Sequence, residues 1–282
     1  MLKYPFLASQ SSRLSLFFPF LVSIHVITST STMPYDSTIT FTLDTICPWY
    51  VNLPTLPSLP LTHLLKLPNR TYLAFLRLRR ALATHQSTYP SSSDVTFTLV
   101  LAPYQLYPDF PSTGTPKYTW YKDERYAGST SRMDAYISAM NDLGSAEGIT
   151  FDFLNGVIAN TLPAHRVLRY LQTKHGSQVA CEALLSLYQS YFEQAAHPAS
   201  ADTLLAACVA AGLSEEEALG LVQDEEQGLV ETKMAVREQE GNGVDSVPWV
   251  VVEGRKRDFA LVGAKTAEEY GKVFRQVERE CT

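Results

Sequence analysis

The sequence predicts a mixed α/β fold in which a small sheet is interrupted by a long α-helical insert. Three observations predict it. Alternating runs at Thr38 to Asp44 and Asp94 to Ala102 have the period of strands, residues from about 114 to 240 carry helical periodicity and helix caps, and the tail from Gly241 returns to hairpin and helix. The 282 residues are 45% hydrophobic, enough for one substantial core or two modest ones, and 18% charge argues against wholesale disorder.

The first strand alternates threonine with apolar residues and runs into Asp44, Thr45, Ile46, Cys47, Pro48, Trp49. This places a thiol where a strand turns into a helix. A helix N-terminus offers unpaired backbone N–H groups and a positive dipole end, which favour thiolate over thiol. The second cysteine of a C-x-x-C pair is missing, because position 50 is Tyr50. Tyr50 to Arg70 then includes Pro54, Pro57, Pro60 and Pro68, a spacing that forbids a helix. The helical pattern starts only at Thr71, where Tyr72, Leu73, Leu76, Leu78 and Leu82, with Arg77, Arg79 and Arg80 between them, predict an amphipathic helix ending near His85.

In the second strand Val95, Phe97, Leu99 and Leu101 share one face, and a loop rich in proline and aromatic residues follows from Pro103 to Pro116. A helical segment over 131 to 143 stops at Gly144 and Gly148. Four helices are then predicted: Thr161 to Lys174 with Asn160 or Thr161 as cap, Ser177 to Ala195, Asp202 to Ala211, and one capped by Ser214 and Glu217 that runs towards Glu240. In the tail, Val247 to Val252 and Phe259 to Val262 are strands, and Thr266 with Glu269 caps a last helix with Tyr270, Val273, Phe274 and Val277 on its apolar face. Strand, helix, strand, helical insert, strand, strand, helix is a thioredoxin-like plan with an α-helical domain inserted in its middle.

Composition narrows the function classes. The net charge of −6 and the absence of a basic run disfavour nucleic acid and anionic membrane surfaces as partners, leaving small thiols or thiol proteins as the better fit. Cys47, Cys181, Cys208 and Cys281 show neither zinc-ligand spacing nor a secreted disulfide framework. Cys181 and Cys208 fall in apolar helical stretches as buried small hydrophobes, and Cys281 is expected exposed on a frayed end. No metal site is expected. The first 35 residues carry Lys3 and Arg13, no acid before Asp36, and an apolar stretch from Leu14 to Ile27 broken by Pro19 and His25. That is shorter than a clean membrane span. It reads either as a presequence or as a segment upstream of a true start at Met33.

Three stretches resemble the DsbA-like thioredoxin-domain family, in its FrnE-like branch, which is related to 2-hydroxychromene-2-carboxylate isomerases and kappa-class glutathione transferases. They are Asp44 to Trp49, then Asn160, Thr161, Ala164, His165, Arg166, and Val244 to Ala264 with Ser246, Val247, Pro248 at its start. The resemblance implies that Pro248 is a cis proline beside the thiol, shaping a groove in which backbone groups pair with an extended thiol peptide. It also hints that His165, beside Arg166, holds an anionic substrate at a helix start, against the alternative of a capping and packing histidine. Removing Tyr50 to Arg70 joins Trp49 to Thr71 and restores a C-P-W-T-Y-L form of the motif. Those 21 residues are therefore expected to be a retained intron or gene-model error, against the alternative of an exposed loop.

The expected division is 1–35 as presequence or mis-assigned upstream segment, 36–113 as the first part of the thioredoxin-like domain with 50–70 aberrant, 114–240 as the helical insert, and 241–282 as the second part. Expected catalytic residues are Cys47, Thr71 and Pro248; expected substrate-binding residues are Trp49, Val247, Asn160, His165 and Trp249. The expected function is a monothiol thiol-disulfide oxidoreductase with Cys47 as nucleophile, no tightly bound cofactor and glutathione as co-substrate. A glutathione-dependent isomerase or transferase and a redox-inactive thioredoxin-like binding protein are the alternatives. The expected compartment is cytoplasmic, or mitochondrial if residues 1–32 are a presequence; no stable membrane span is expected, and a homodimer is left open.

Overall fold

Threonines alternating with apolar residues give β1 (Tyr35–Leu43) one face that is fully buried, with Ile39 and Phe41 at its centre. The computed structural model describes residues 34–47, 71–88 and 95–281. Residues 1–33 of the expected upstream segment, Pro48, Trp49 and the segment from Tyr50 to Arg70 lie outside the described residues, whereas Tyr35, placed at the end of that upstream segment, already belongs to β1.

β1 pairs in parallel with β2 (Val95–Pro103), from Tyr35 opposite Val95 to Leu43 opposite Pro103. On its other edge it pairs antiparallel with β5 (Trp249–Val252), where Thr42 faces Trp249. β5 in turn pairs antiparallel with β6 (Phe259–Val262), so the sheet order is β2-β1-β5-β6. The parallel pair needs a crossover, and α1 (Thr71–Thr88) packs between β1 and β2 in sequence. This is the thioredoxin fold that the element order predicts.

The arginines of α1 face the helical insert. Arg77 and Arg80 both pair with Glu147, and Arg79 pairs with Glu182. The last helix, α9 (Ala267–Cys281), packs on α1 through Tyr270, Phe274 and Val277. Its start is a full capping box: the Glu269 N–H donates to Thr266 Oγ1 at 3.2 Å, and the Thr266 N–H donates to Glu269 Oε2 at 2.8 Å. Cys281 differs from expectation. It closes α9 half-buried and packs against the core, because the amphipathic face of the helix continues to its end.

Between β2 and β5 the chain is helical: α2 (Lys117–Trp120), continuing as a π turn to Arg125, α3 (Thr130–Ser145), α4 (Leu162–His175), α5 (Ser177–Phe192), α6 (Ala201–Ala210), α7 (Glu215–Gln223) and α8 (Leu229–Gly241). A two-residue pairing of β3 (Thr115–Pro116) with β4 (Val157–Ile158) ties the loop after β2 to the approach to α4. Two features depart from the sequence reading. α2 and its π turn fall between the loop that ends at Pro116 and the helical segment from 131, where the sequence reading assigned no element, and Lys117 at its start is buried. The helix capped by Ser214 does not run towards Glu240: it ends at Gln223, and α8 starts afresh after Gly228. Asp224 Oδ1 accepts the Gln227 N–H at 3.2 Å, and Gly228 takes a left-handed φ of 76°, which favours glycine. Among the described residues no helix is long and apolar enough to cross a membrane.

Candidate active site

The sheet register places the first feature of the site without help from any side chain. Because Thr42 faces Trp249, the turn that leaves β1 lies beside the segment that enters β5. The Cys47 N–H donates to the Asp44 carbonyl at 3.4 Å, closing that turn. Cys47 Sγ lies 3.6 Å from the Val247 carbonyl oxygen, to which it donates. The Val247–Pro248 peptide is cis, and the Pro248 carbonyl accepts the Gly263 N–H at 2.8 Å. β5 starts at Trp249, paired with Val262, two residues later than the sequence pattern suggests.

Cys47 is 1% exposed and packs with Val244 and Val247, with the half-buried Tyr104, Leu106 and Trp249 covering them. Val247, Pro248 and Trp249 are thus brought to the thiol, while Trp49 lies outside the described residues. Thr71 opens α1, fully buried, and its hydroxyl has no hydrogen-bond partner among the described residues.

The expected ligand-contacting residues of α4 have protein partners. The Asn160 side chain donates to the Pro108 carbonyl at 2.6 Å, and its amide oxygen accepts from Gln105 Nε2 and from the Leu162 N–H. It staples the loop after β2 to the start of α4, combining cap and cross-link. Arg166 is not available to an anion. Its guanidinium donates to the carbonyls of Leu221, Val222 and Gln227, so it caps the C-terminal end of α7 from inside. His165 turns the other way and is 2% exposed. Its Nε2 lies 3.6 Å from Asp44 Oδ1. Asp44 also accepts the Leu106 N–H on Oδ2 at 2.7 Å, which fixes the carboxylate in the turn that carries Cys47.

Around this centre stands a group of phenols. Tyr107, Tyr188 and Tyr191 are pushed up from the ordinary tyrosine range, chiefly by burial, and the negative charges of both Cys47 and Asp44 add to the effect. Tyr107 reaches about 12 despite Arg125 beside it, which works in the opposite direction. Arg125 also stacks over the Tyr107 and Trp120 rings. Tyr191 in turn supports Lys117, whose Nζ lies 4.4 Å from the ring centroid and donates to the carbonyls of Asp152 and Tyr191 at 2.8 and 3.0 Å. Burial pushes Lys117 down to about 8, with Asp152 opposing the shift.

Sequence reasoning passed over Asp44 as a site residue although it stands three positions before Cys47 in the motif itself. Tyr188 and Tyr191 read as one apolar helix face, and they are indeed core; their relation to Cys47 appears only when α5 docks. Chemically, the arrangement offers a thiol beside the Val247 carbonyl at the entry to β5 and a buried acid–imidazole pair. Among the described residues no cluster of three or more histidine, cysteine or acidic side chains could hold a metal ion.

A family model, described as the DSBA-like thioredoxin domain, matches residues 71–274. Its span opens at the first residue of α1 and leaves Cys47 outside. Among solved structures, a probable DsbA oxidoreductase from Streptomyces coelicolor aligns with a TM-score of 0.66 and 20% identity, over 87% of this chain and 92% of that one. A cytosolic disulfide reductase, DsbM, from Pseudomonas aeruginosa aligns with a TM-score of 0.54 and 13% identity, over 86% of this chain and 98% of that one. The same reductase with GSH aligns with a TM-score of 0.53 and 13% identity, over 86% and 99% of the two chains. At these identities the likeness establishes the fold. No curated protein sequence matches the chain.

Proposed function

The chain belongs to the DSBA-like thioredoxin domain family, and from that premise we propose that it is a monothiol thiol-disulfide oxidoreductase working through Cys47 with glutathione as co-substrate. The observation that carries the reading is the approach of Cys47 Sγ to the carbonyl that precedes the cis Pro248. A disulfide substrate extended along that segment pairs its backbone with the sheet end and brings a sulfur to the thiol. Val247 and the half-buried Trp249 pack at the thiol and would line the groove on this reading.

The single motif cysteine dictates the cycle. The Cys47 thiolate attacks the glutathione sulfur of a mixed disulfide, the substrate leaves as its thiolate, and Cys47 is left joined to glutathione. A second glutathione thiolate then attacks that sulfur, releasing oxidised glutathione and restoring the Cys47 thiolate. Over the cycle one glutathione thiol is oxidised and the substrate sulfur is reduced to a thiol, while the glutathione taken from the substrate leaves as the other half of oxidised glutathione, so no internal second cysteine is required. Cys181 and Cys208 do not stand in for one: burial pushes their thiols up to about 12 and about 11, with neighbouring arginines opposing it. A glutathione-bound structure of DsbM supports glutathione as the partner to test first.

The test is glutathione-dependent reduction of a glutathionylated peptide by the full chain and by Cys47→Ser. Loss of at least about 100-fold in the variant is expected. Unchanged turnover in Cys47→Ser, or no turnover in the parent protein, overturns the reading; glutathione conjugation that survives in the variant redirects it to a transferase.

A further inference from the structure

Asp44 and His165 come from separate parts of the fold, one from the end of β1 and the other from the first turn of α4. Their side chains are 0% and 1% exposed, and they face each other at 3.6 Å. Neither Asp44 Oδ1 nor His165 Nε2 has a hydrogen-bond partner among the described residues. An isolated buried carboxylate is costly, whereas a protonated imidazole opposite it makes the pair neutral. The Asp44 carbonyl accepts the Cys47 N–H, so the pair sits one turn from the thiol.

We propose that Asp44 and His165 are a positioning pair whose net charge sets how readily Cys47 gives up its proton, with His165 serving the thiol through Asp44 rather than touching substrate. The inference rests on Cys47 being the working thiol. With the proton on His165 the pair carries no net charge, and the thiolate forms without opposition. Without it Asp44 stands as an uncompensated anion and opposes a second negative charge on Sγ. The proton lost by Cys47 passes to solvent; the pair changes only the electrostatic work of removing it. Substrate binding by His165 is disfavoured by the same geometry, because the ring is sealed between Asp44 and the body of α4.

Among the described residues, the other ionisable groups around the pair and the thiol come from four elements. Tyr104 and Tyr107 come from the loop after β2, Tyr121 from the π turn, and Tyr188 and Tyr191 from α5. Arg169, one turn along α4, shares with His165 a small recess lined by Leu43, Leu101 and Pro103. Lys117 lies beyond the Tyr191 ring. The buried phenols stay protonated through neutral pH, so they do not imitate the pair's response. That Tyr107, Tyr188 and Tyr191 each respond to both Asp44 and Cys47 places the carboxylate and the thiol in one electrostatic neighbourhood.

The experiment is the pH dependence of Cys47 alkylation by iodoacetamide in the full chain, followed by peptide mass spectrometry. Asp44→Asn removes the anion and should move the rate profile towards acid by roughly one pH unit; His165→Gln strands the anion and should move it towards alkali by a similar amount. The double variant should return near the parent profile. Limited access to the buried thiol scales the rates but not these midpoints. A merely structural pair predicts shifts of one sign or none, and either result overturns the proposal. Should His165→Gln fail to fold, Asp44→Asn alone decides, since a profile unmoved or moved towards alkali refutes the assignment. Failure of the underlying reading looks different: Cys47 of the parent protein then resists alkylation at every pH, and the proposal falls with it.

Discussion

Cys47 and Cys181 are almost equally hidden from solvent, at 1% and 6% exposure, yet they sit in opposite chemical settings. Cys181 lies within α5, where burial pushes its thiol up to about 12, against the opposing charge of Arg79. Cys47 lies at the end of a strand, donates to a backbone carbonyl, and shares its turn with a carboxylate that faces a histidine. Burial alone therefore does not distinguish the two thiols. What separates the two is the polar frame: a strand end, a backbone carbonyl and ionisable neighbours on one side, a close-packed helix interface on the other.

That contrast extends to the frames themselves, and substitutions in each should give separable results. The largest effect is expected from Arg166→Met, which strips the donors from three carbonyls at the end of α7. Urea denaturation should show a loss of about 3 kcal/mol, while the folded protein keeps its thiol activity within about twofold. Equal loss of activity at constant stability would return Arg166 to the site and erase the distinction.

Lys117 gives a pH-dependent version. Its pKa in the fold is about 8, below the ordinary lysine value of 10.5, so the folded state binds fewer protons than the unfolded chain between those values. The penalty for burying the charge is complete below about pH 8 and is relieved as pH rises towards 10.5. The stability of the parent protein minus that of Lys117→Met should thus increase from pH 7.5 to 9.5, on the order of 2 kcal/mol. A flat difference would mean that the two carbonyls and the Tyr191 ring fully offset the burial.

The smallest effect belongs to Cys181→Ala, expected to cost about 1 kcal/mol in thermal unfolding through lost packing, with thiol activity unchanged. A drop in turnover would put Cys181 in the cycle and remove the ground for calling Cys47 a lone thiol.

The sequence made the sheet and the capping legible because both rest on local periodicity. Thr38 to Asp44, Val95 to Leu101 and the box at Thr266 and Glu269 each carry their signal within a few residues. The helix break at Asp224 was hidden because the acidic run and the alanines around it continue a helical pattern, and only the Asx turn with Gly228 interrupts it. Within the site, Cys47, Val247 and Pro248 could be placed because resemblance fixes them in two short motifs. Asp44 with His165, and the tyrosines of α5, depend on residues some 120 or more positions apart meeting across the fold. No periodicity encodes such a meeting. Arg166 shows the reverse problem, since a cation at a helix start looks like an anion site until α7 is seen to end against it.

The claim that Cys47 is the working thiol is tested most directly by alkylating the native chain with iodoacetamide at pH 7.5 and comparing rates at individual cysteines by mass spectrometry. Modification of Cys47 at least about tenfold faster than Cys181 and Cys208 is the predicted result. Rates at Cys47 no greater than at those two helical thiols would contradict the account.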